Sequence, residues 1–110
     1  MNISYKSRYI GSSIMYLKIH HGEFSHVVAI ADRTLIGRTL KEGMLQIEVS
    51  EYFYKGEIVT EADVVSVLKN TNNANMIGTK VVNCAIEHGF VKADNIIMID
   101  GVPHAQIILI

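Results

Sequence analysis

The chain has 110 residues, 49% of them apolar and 19% charged, which fits one globular domain able to bury roughly 65% of its unfolded surface. A net charge of −1 argues against a strongly electrostatic nucleic-acid binder, while a local basic patch stays compatible with it. The single cysteine, Cys84, excludes an internal disulfide and suits a reducing, cytoplasmic setting, and no apolar run reaches the ~18 residues that suggest a membrane span.

Residues 1–14, MNISYKSRYIGSSI, show no signal-peptide pattern and no strand or helix period. They are expected to be a loosely attached upstream extension, with Met15 as the natural start and residues 15–110 as the domain. MYLKIH, from Met15, alternates in the strand manner, and SHVVAIA, from Ser25, is β-rich and apolar enough for a central strand. The two predict a hairpin with its loop near Gly22–Phe24. Asp32–Gly43 reads as a structured excursion anchored by Leu35, Ile36 and Leu40, followed by a third strand over Met44–Val49. Tyr52, Phe53 and Tyr54 are expected to cover one edge of the core.

Thr60 opens a first helix, with Asp63 placed for a capping box and Val59 and Val64 for a hydrophobic staple. The stretch Asn72–Phe90 then predicts one buried helix, on the i, i+4, i+8 stripe of Ile77, Val81 and Ala85. Thr71, Asn72 or Asn73 would cap its start, and Gly89 fits the left-handed position beyond its end. Gly78 would lie inside this helix, where it marks a close approach by another backbone or a ligand. Asn95–Ile99 and Ala105–Ile110 close the chain as strands about the Asp100-Gly101 turn, with Pro103 at a strand start or on a free edge. The resulting order βββααββ predicts an α+β two-layer sandwich, with two helices on one face of a mainly antiparallel sheet.

The stretches ADRTLIGRTLKEG, LQIEVSEYFYKGE, NANMIGTKVVNCAIEHGFV and IDGVPHAQI together resemble the archaeal family called domain of unknown function 424. The resemblance spans about Met15 to Ile110, and NANMIG and GVPHAQ in that order make it specific. It implies a compact two-layer α/β fold and no established activity, cofactor or catalytic residue. Residues 1–14 depart from the family pattern, which typically begins at the MYLKIHH stretch.

Candidate chemistry gathers at three places: Asp32 with Gly37, Arg38 and Thr39; Asn73, Asn75 and Gly78 at the central helix; and His104 after Pro103. If these ends converge, a helix N-terminus beside Arg38 favours a small anion such as phosphate or carboxylate. Asp32 and His104 would then be the acid/base pair of a small enzyme, though no nucleophile motif accompanies them. The plain alternative is that the asparagines cap, Arg38 is solvated and His104 ties down a turn. His20 and His21 are neighbours on a strand and face opposite ways, His26 lies on another strand, and no zinc spacing occurs, so no metal or cofactor is expected. Cys84 reads as a buried, inert thiol. GRT with Lys41 lacks the spacing of a phosphate loop. Lys18, Arg33, Arg38, Lys41, Lys55 and Lys80 with the Tyr52–Tyr54 aromatics would suit single-stranded nucleic acid if they shared a face, and otherwise form a solvated surface over an aromatic cluster. The leading expectation is therefore a cytosolic binding module serving RNA, the translation machinery or a protein partner. The alternatives are an enzyme or anion binder built on Asp32, Arg38, Asn75 and His104, and a homodimer formed through an exposed strand.

Overall fold

The opening hairpin forms as the alternation predicts: β1 (Met15–His21) pairs antiparallel with β2 (His26–Asp32), from Met15 opposite Asp32 to His21 opposite His26. The computed structural model describes residues 14–109, so the expected looseness of residues 1–14 falls, Ile14 apart, outside the described residues. Past β2 and a 3-10 turn over Arg33–Leu35 come β3 (Thr39–Glu42), β4 (Leu45–Glu48), the one-turn helix α1 (Glu51–Tyr54), β5 (Glu57–Val59) and α2 (Glu61–Leu68). Then follow β6 (Asn73–Ile77), α3 (Thr79–Glu87), a second 3-10 turn over Ala93–Asn95, β7 (Ile97–Ile99) and β8 (Val102–Ile108).

The fold is α+β, with a mainly antiparallel six-stranded sheet ordered β5-β1-β2-β6-β8-β7. Its one parallel pair, β2 with β6, lies at the centre. Helices α2 and α3 cover one face through Val64, Leu68, Val81, Val82, Cys84 and Ala85, which pack on Met15, Leu17, Val28, Ile30, Ala74 and Met76. Fully burying a valine or methionine contributes about 1.5–3 kcal/mol, so this layer supplies most of the cohesion. On the other face, the β3–β4 hairpin and α1 bury Leu35, Leu40, Val49 and Tyr54 against Ala29, Ala31, Ile77 and Ile99.

Three expectations need correction. First, the helix expected over Asn72–Phe90 is a strand and a helix joined at Gly78. In Asn73–Ile77 the period is two, with Ala74 and Met76 on the helix-covered face, so the segment extends β2 rather than coiling. The observed order accordingly has three strands and one short helix more than βββααββ. Second, the strand expected over Met44–Val49 pairs with β3 in a separate two-stranded sheet. Third, Pro103 lies within β8, between β6 and β7. Its carbonyl accepts from Gly78 N at 2.9 Å, and the Gly78 carbonyl turns instead to Val82 N, so the missing proline amide faces the point where β6 leaves the sheet.

The local signals at helix ends hold. Thr60 Oγ1 accepts from Asp63 N at 3.3 Å and Asp63 Oδ2 accepts from Thr60 N at 3.0 Å, which completes the capping box. At the end of α3, Phe90 N donates to Ala85 O and Gly89 N to Ile86 O around Gly89 at φ +78°, a Schellman stop. Among the described residues no helix is long and apolar enough to cross a membrane.

Candidate functional site

The N-terminus of α3 is already occupied by a carboxylate of the chain itself. Parallel pairing of β2 with β6 brings Asp32, the last residue of β2, to the first turn of the helix that leaves β6. Asp32 Oδ2 accepts from Lys80 N at 2.9 Å and Oδ1 from Val81 N at 3.0 Å, and the residue is only 8% exposed. Two amides of the first turn are thus satisfied by an anion that also faces the positive end of the helix dipole. None of Thr71, Asn72 and Asn73 is the cap, because the helix begins at Thr79.

Gly78 makes this arrangement possible. Its φ is +119°, and a Cβ there would sit 2.3 Å from Asp32 Cγ. A close approach does occur at this glycine, but it is made by the Asp32 side chain rather than by another backbone or an external ligand.

This geometry separates the residues expected to meet. Val28, Ile30 and Asp32 lie on the helix-covered face, whereas on β8 it is Ala105 and Ile107 that face the helices, which leaves His104 and Gln106 on the opposite side. Asp32 and His104 therefore lie on opposite faces of the sheet and do not form an acid/base pair. Asn73 and Asn75 alternate with Ala74 and Met76 and share the face of His104. They also lie four to six residues of extended chain before Thr79, about 13–20 Å from the helix terminus they were expected to line. Gly37, Arg38 and Thr39 are exposed at the base of the β3–β4 hairpin. Gly37 N donates to Val49 O at 2.7 Å and Arg38 O accepts from Val49 N at 2.8 Å, so this segment fastens the excursion through its backbone.

The structure does gather a polar surface on the face opposite the helices. Strand register puts Lys18, Ala29, Asn75 and Gln106 in one row across β1, β2, β6 and β8. Asn75 Oδ1 accepts from Gln106 Nε2 at 2.7 Å. One row along lies His104, opposite Ile77, and at the other side Asn73 opposite Ile108. His104 is half-buried, and that burial holds its pKa below the ordinary 6.5, so the imidazole is neutral near pH 7.

Helix α1 forms one wall of this surface. Ser50 caps it by accepting from Phe53 N at 3.1 Å, which orients the aromatic run. His20 bonds Phe53 O through Nε2 at 2.8 Å and stacks on the Phe53 ring at 4.6 Å. The ammonium of Lys18 donates to Tyr52 O and stands 4.6 Å from the Tyr52 ring centroid, a cation–π contact. Tyr54 is buried as an anchor, while Tyr52 is 78% exposed. The six basic residues considered from the sequence do not share one element: Lys18 is on β1, Arg33 in the 3-10 turn, Arg38 and Lys41 at the hairpin, Lys80 on α3, and Lys55 follows α1, 3.9 Å from Glu51. Gln106 and His20 were missed as site residues. Their signal was the period of two, which places polar side chains at Asn73, Asn75, His104 and Gln106 on one side of two neighbouring strands.

Comparison with known proteins matches this architecture. A search among proteins of established function finds no match to the chain. A crystal structure of an uncharacterized conserved protein from Methanopyrus kandleri superposes with a TM-score of 0.74 over 86% of this chain and 90% of that one, at 24% identity, which establishes a shared fold. The sequence pattern described as "Protein of unknown function (DUF424)" matches residues 19–110, from the middle of β1 through every other element of the sheet. That stretch includes Asp32, Gly78 and the polar strands β6 and β8, and with it the chain belongs to the DUF424 family.

Proposed function

We propose that the protein is a cytosolic binding module that takes a short single-stranded segment of RNA beside α1, on the part of the sheet face opposite α2 and α3 that the β3–β4 hairpin leaves uncovered. The observation that carries this reading is the bonded Asn75–Gln106 amide pair, flanked in the same row by Lys18 under the exposed ring of Tyr52. With Asn75 Oδ1 accepting from Gln106 Nε2, the pair keeps Asn75 Nδ2 as a donor and Gln106 Oε1 as an acceptor. Such a donor and acceptor match the edge of an unpaired base, and an exposed aromatic ring takes the face of the next. Lys18 and Asn75 are two strands apart, about 10 Å, with the buried Ala29 between them, so one or two nucleotides would have to pass over α1 from the Tyr52 ring to the amide pair. Neutral His104 adds a hydrogen-bonding group without adding charge. Lys18 as the basic residue in this row also suits the near-neutral chain, because affinity would come from stacking and amide contacts more than from phosphate neutralisation.

The test is fluorescence anisotropy with a short labelled single-stranded RNA of mixed sequence and its duplex form. The single strand binds more tightly than the duplex. Tyr52→Ala weakens it by roughly 5- to 150-fold, the range of one lost base stack of about 1–3 kcal/mol. Gln106→Ala weakens it less. The logarithm of affinity falls with the logarithm of salt at a slope of roughly −0.7 to −1.5, one or two phosphate contacts. Equal affinity for single strand and duplex, or affinity unchanged in Tyr52→Ala and Gln106→Ala, would overturn the reading.

A further inference from the structure

At the loop end of the first hairpin, and on the opposite face from the polar surface, two imidazoles meet. His21 and His26 are register partners at the last rung of β1 and β2. Their rings are edge to face with centroids 4.6 Å apart, and their Nδ1 atoms are 3.2 Å apart. Both side chains are exposed, so the fold gains little from burying them. From this geometry we infer that His21 and His26 form a two-imidazole site for a first-row divalent cation such as Zn²⁺.

The separation of the two nitrogens carries the argument. With metal–nitrogen bonds of about 2.05 Å, a tetrahedral ion holds two ligand nitrogens about 3.3 Å apart, and a right-angled pair of ligands lies about 2.9 Å apart. The observed 3.2 Å is a hydrogen bond between the two rings and falls between these values, so an ion that displaces the shared proton requires little change in the separation of the two nitrogens. Imidazole is also a ligand type suited to zinc, copper and nickel. The turn beneath the pair is built to hold it. Gly22 N donates to Ser25 O at 2.8 Å, and a Cβ on Gly22 would sit 2.8 Å from that same carbonyl oxygen. Any side chain at position 22 must therefore shift the turn that sets the two histidines opposite each other.

Among the described residues no group of three or more histidine, cysteine, aspartate or glutamate side chains is placed to hold a metal. The ion would have two protein ligands and keep its remaining positions for water or a bound molecule. His26 also lines a cleft of about 650 Å³ between the hairpin loop and the end of α2, with Phe24, Val67 and Asn70 among its walls. The open coordination positions would thus stand at the rim of this cleft. This is the chemistry of an accessible site rather than of a structural zinc, whose four positions are all taken by protein.

The experiment is a titration of the whole chain with Zn²⁺, followed by calorimetry and by the imidazole proton signals. The expected result is one site, with the His21 and His26 signals shifting together. His21→Ala and His26→Ala each weaken binding at least tenfold, and Gly22→Ala weakens it while the circular dichroism stays native. His88→Ala, an exposed histidine on α3's C-terminal end, leaves it unchanged. Zinc binding that survives both histidine substitutions, or saturation that moves neither signal, would overturn the assignment.

Discussion

Removing the carboxylate that caps α3 should cost more than an ordinary helix cap. Asp32→Ala leaves two first-turn amides without their acceptor. The amide of Lys80 is partly exposed and can turn to water, but Val81 is fully buried, so its lost bond counts in full. A hydrogen bond to a charged acceptor is worth about 1.5–3 kcal/mol, and a partly buried charge at a helix terminus adds up to ~2 kcal/mol. Together these give a loss of about 3 kcal/mol, or roughly 15 °C in Tm for a domain of this size. Asp32→Asn keeps one acceptor oxygen and loses the charge, so it should fall between wild type and alanine. Gly78→Ala should cost at least as much, about 3 kcal/mol, because it combines a φ of +119° with a Cβ 2.3 Å from Asp32 Cγ. The two changes cannot be additive. In Asp32→Ala the Cγ and Oδ1 atoms are gone and only the Cβ contact at 2.7 Å remains, so the double variant should be at least ~1 kcal/mol more stable than the sum of the single losses predicts. Urea unfolding followed by far-ultraviolet circular dichroism, with unchanged m, compares the four variants with wild type. A loss below about 1 kcal/mol in Asp32→Ala, or strict additivity in the double variant, would refute the reasoning.

The remaining predictions concern titration and accessibility. His104 is held below its ordinary 6.5 by burial, so the unfolded chain takes up a proton at a higher pH than the native one does. Its contribution to stability is intact above about pH 6.5, is lost as pH falls towards the depressed native value and levels off below it. His104→Gln should remove that part of the pH dependence, and unfolding measured at a series of pH values checks it. Cys84 is buried, and burial together with Glu61 and Glu87 raises its thiol to about 11. Native protein should therefore resist alkylation at pH 8 and react fully in urea, as mass spectrometry would show.

How much of this could be read from the sequence follows from the range of the interactions involved. The capping box at Thr60 and the Gly89 stop span a few residues, and both are found where local chemistry places them. The first hairpin needs only alternation and a short loop, and it forms in register. The reading failed at Asn73–Ile77 because Ile77, Val81 and Ala85 make a helical stripe that extends backwards over a strand, and because Gly78 punctuates rather than interrupts. The alternation of Asn73, Ala74, Asn75 and Met76 was the competing signal. The cap of α3 was beyond local reading: Asp32 lies 48 residues before Lys80, and only the parallel pairing of β2 with β6 joins them. The same pairing splits the expected pocket by turning Asp32 towards the helices, while alternation along β8 turns His104 away from them. Of the residues that the sequence marks as candidates, Asn73, Asn75 and His104 share a sheet face, but with Gln106, His20 and Lys18 rather than with Asp32.

The most direct measurement of the proposed activity is a nitrogen–proton correlation spectrum of the labelled protein titrated with short single-stranded RNA. The account predicts shifts concentrated in the side-chain amides of Asn73, Asn75 and Gln106, the backbone of β6 and β8, and Tyr52 in α1, with α2 and the exposed side of α3 unmoved. A spectrum that stays unchanged at saturating RNA, or shifts that map to the helical face, would contradict it.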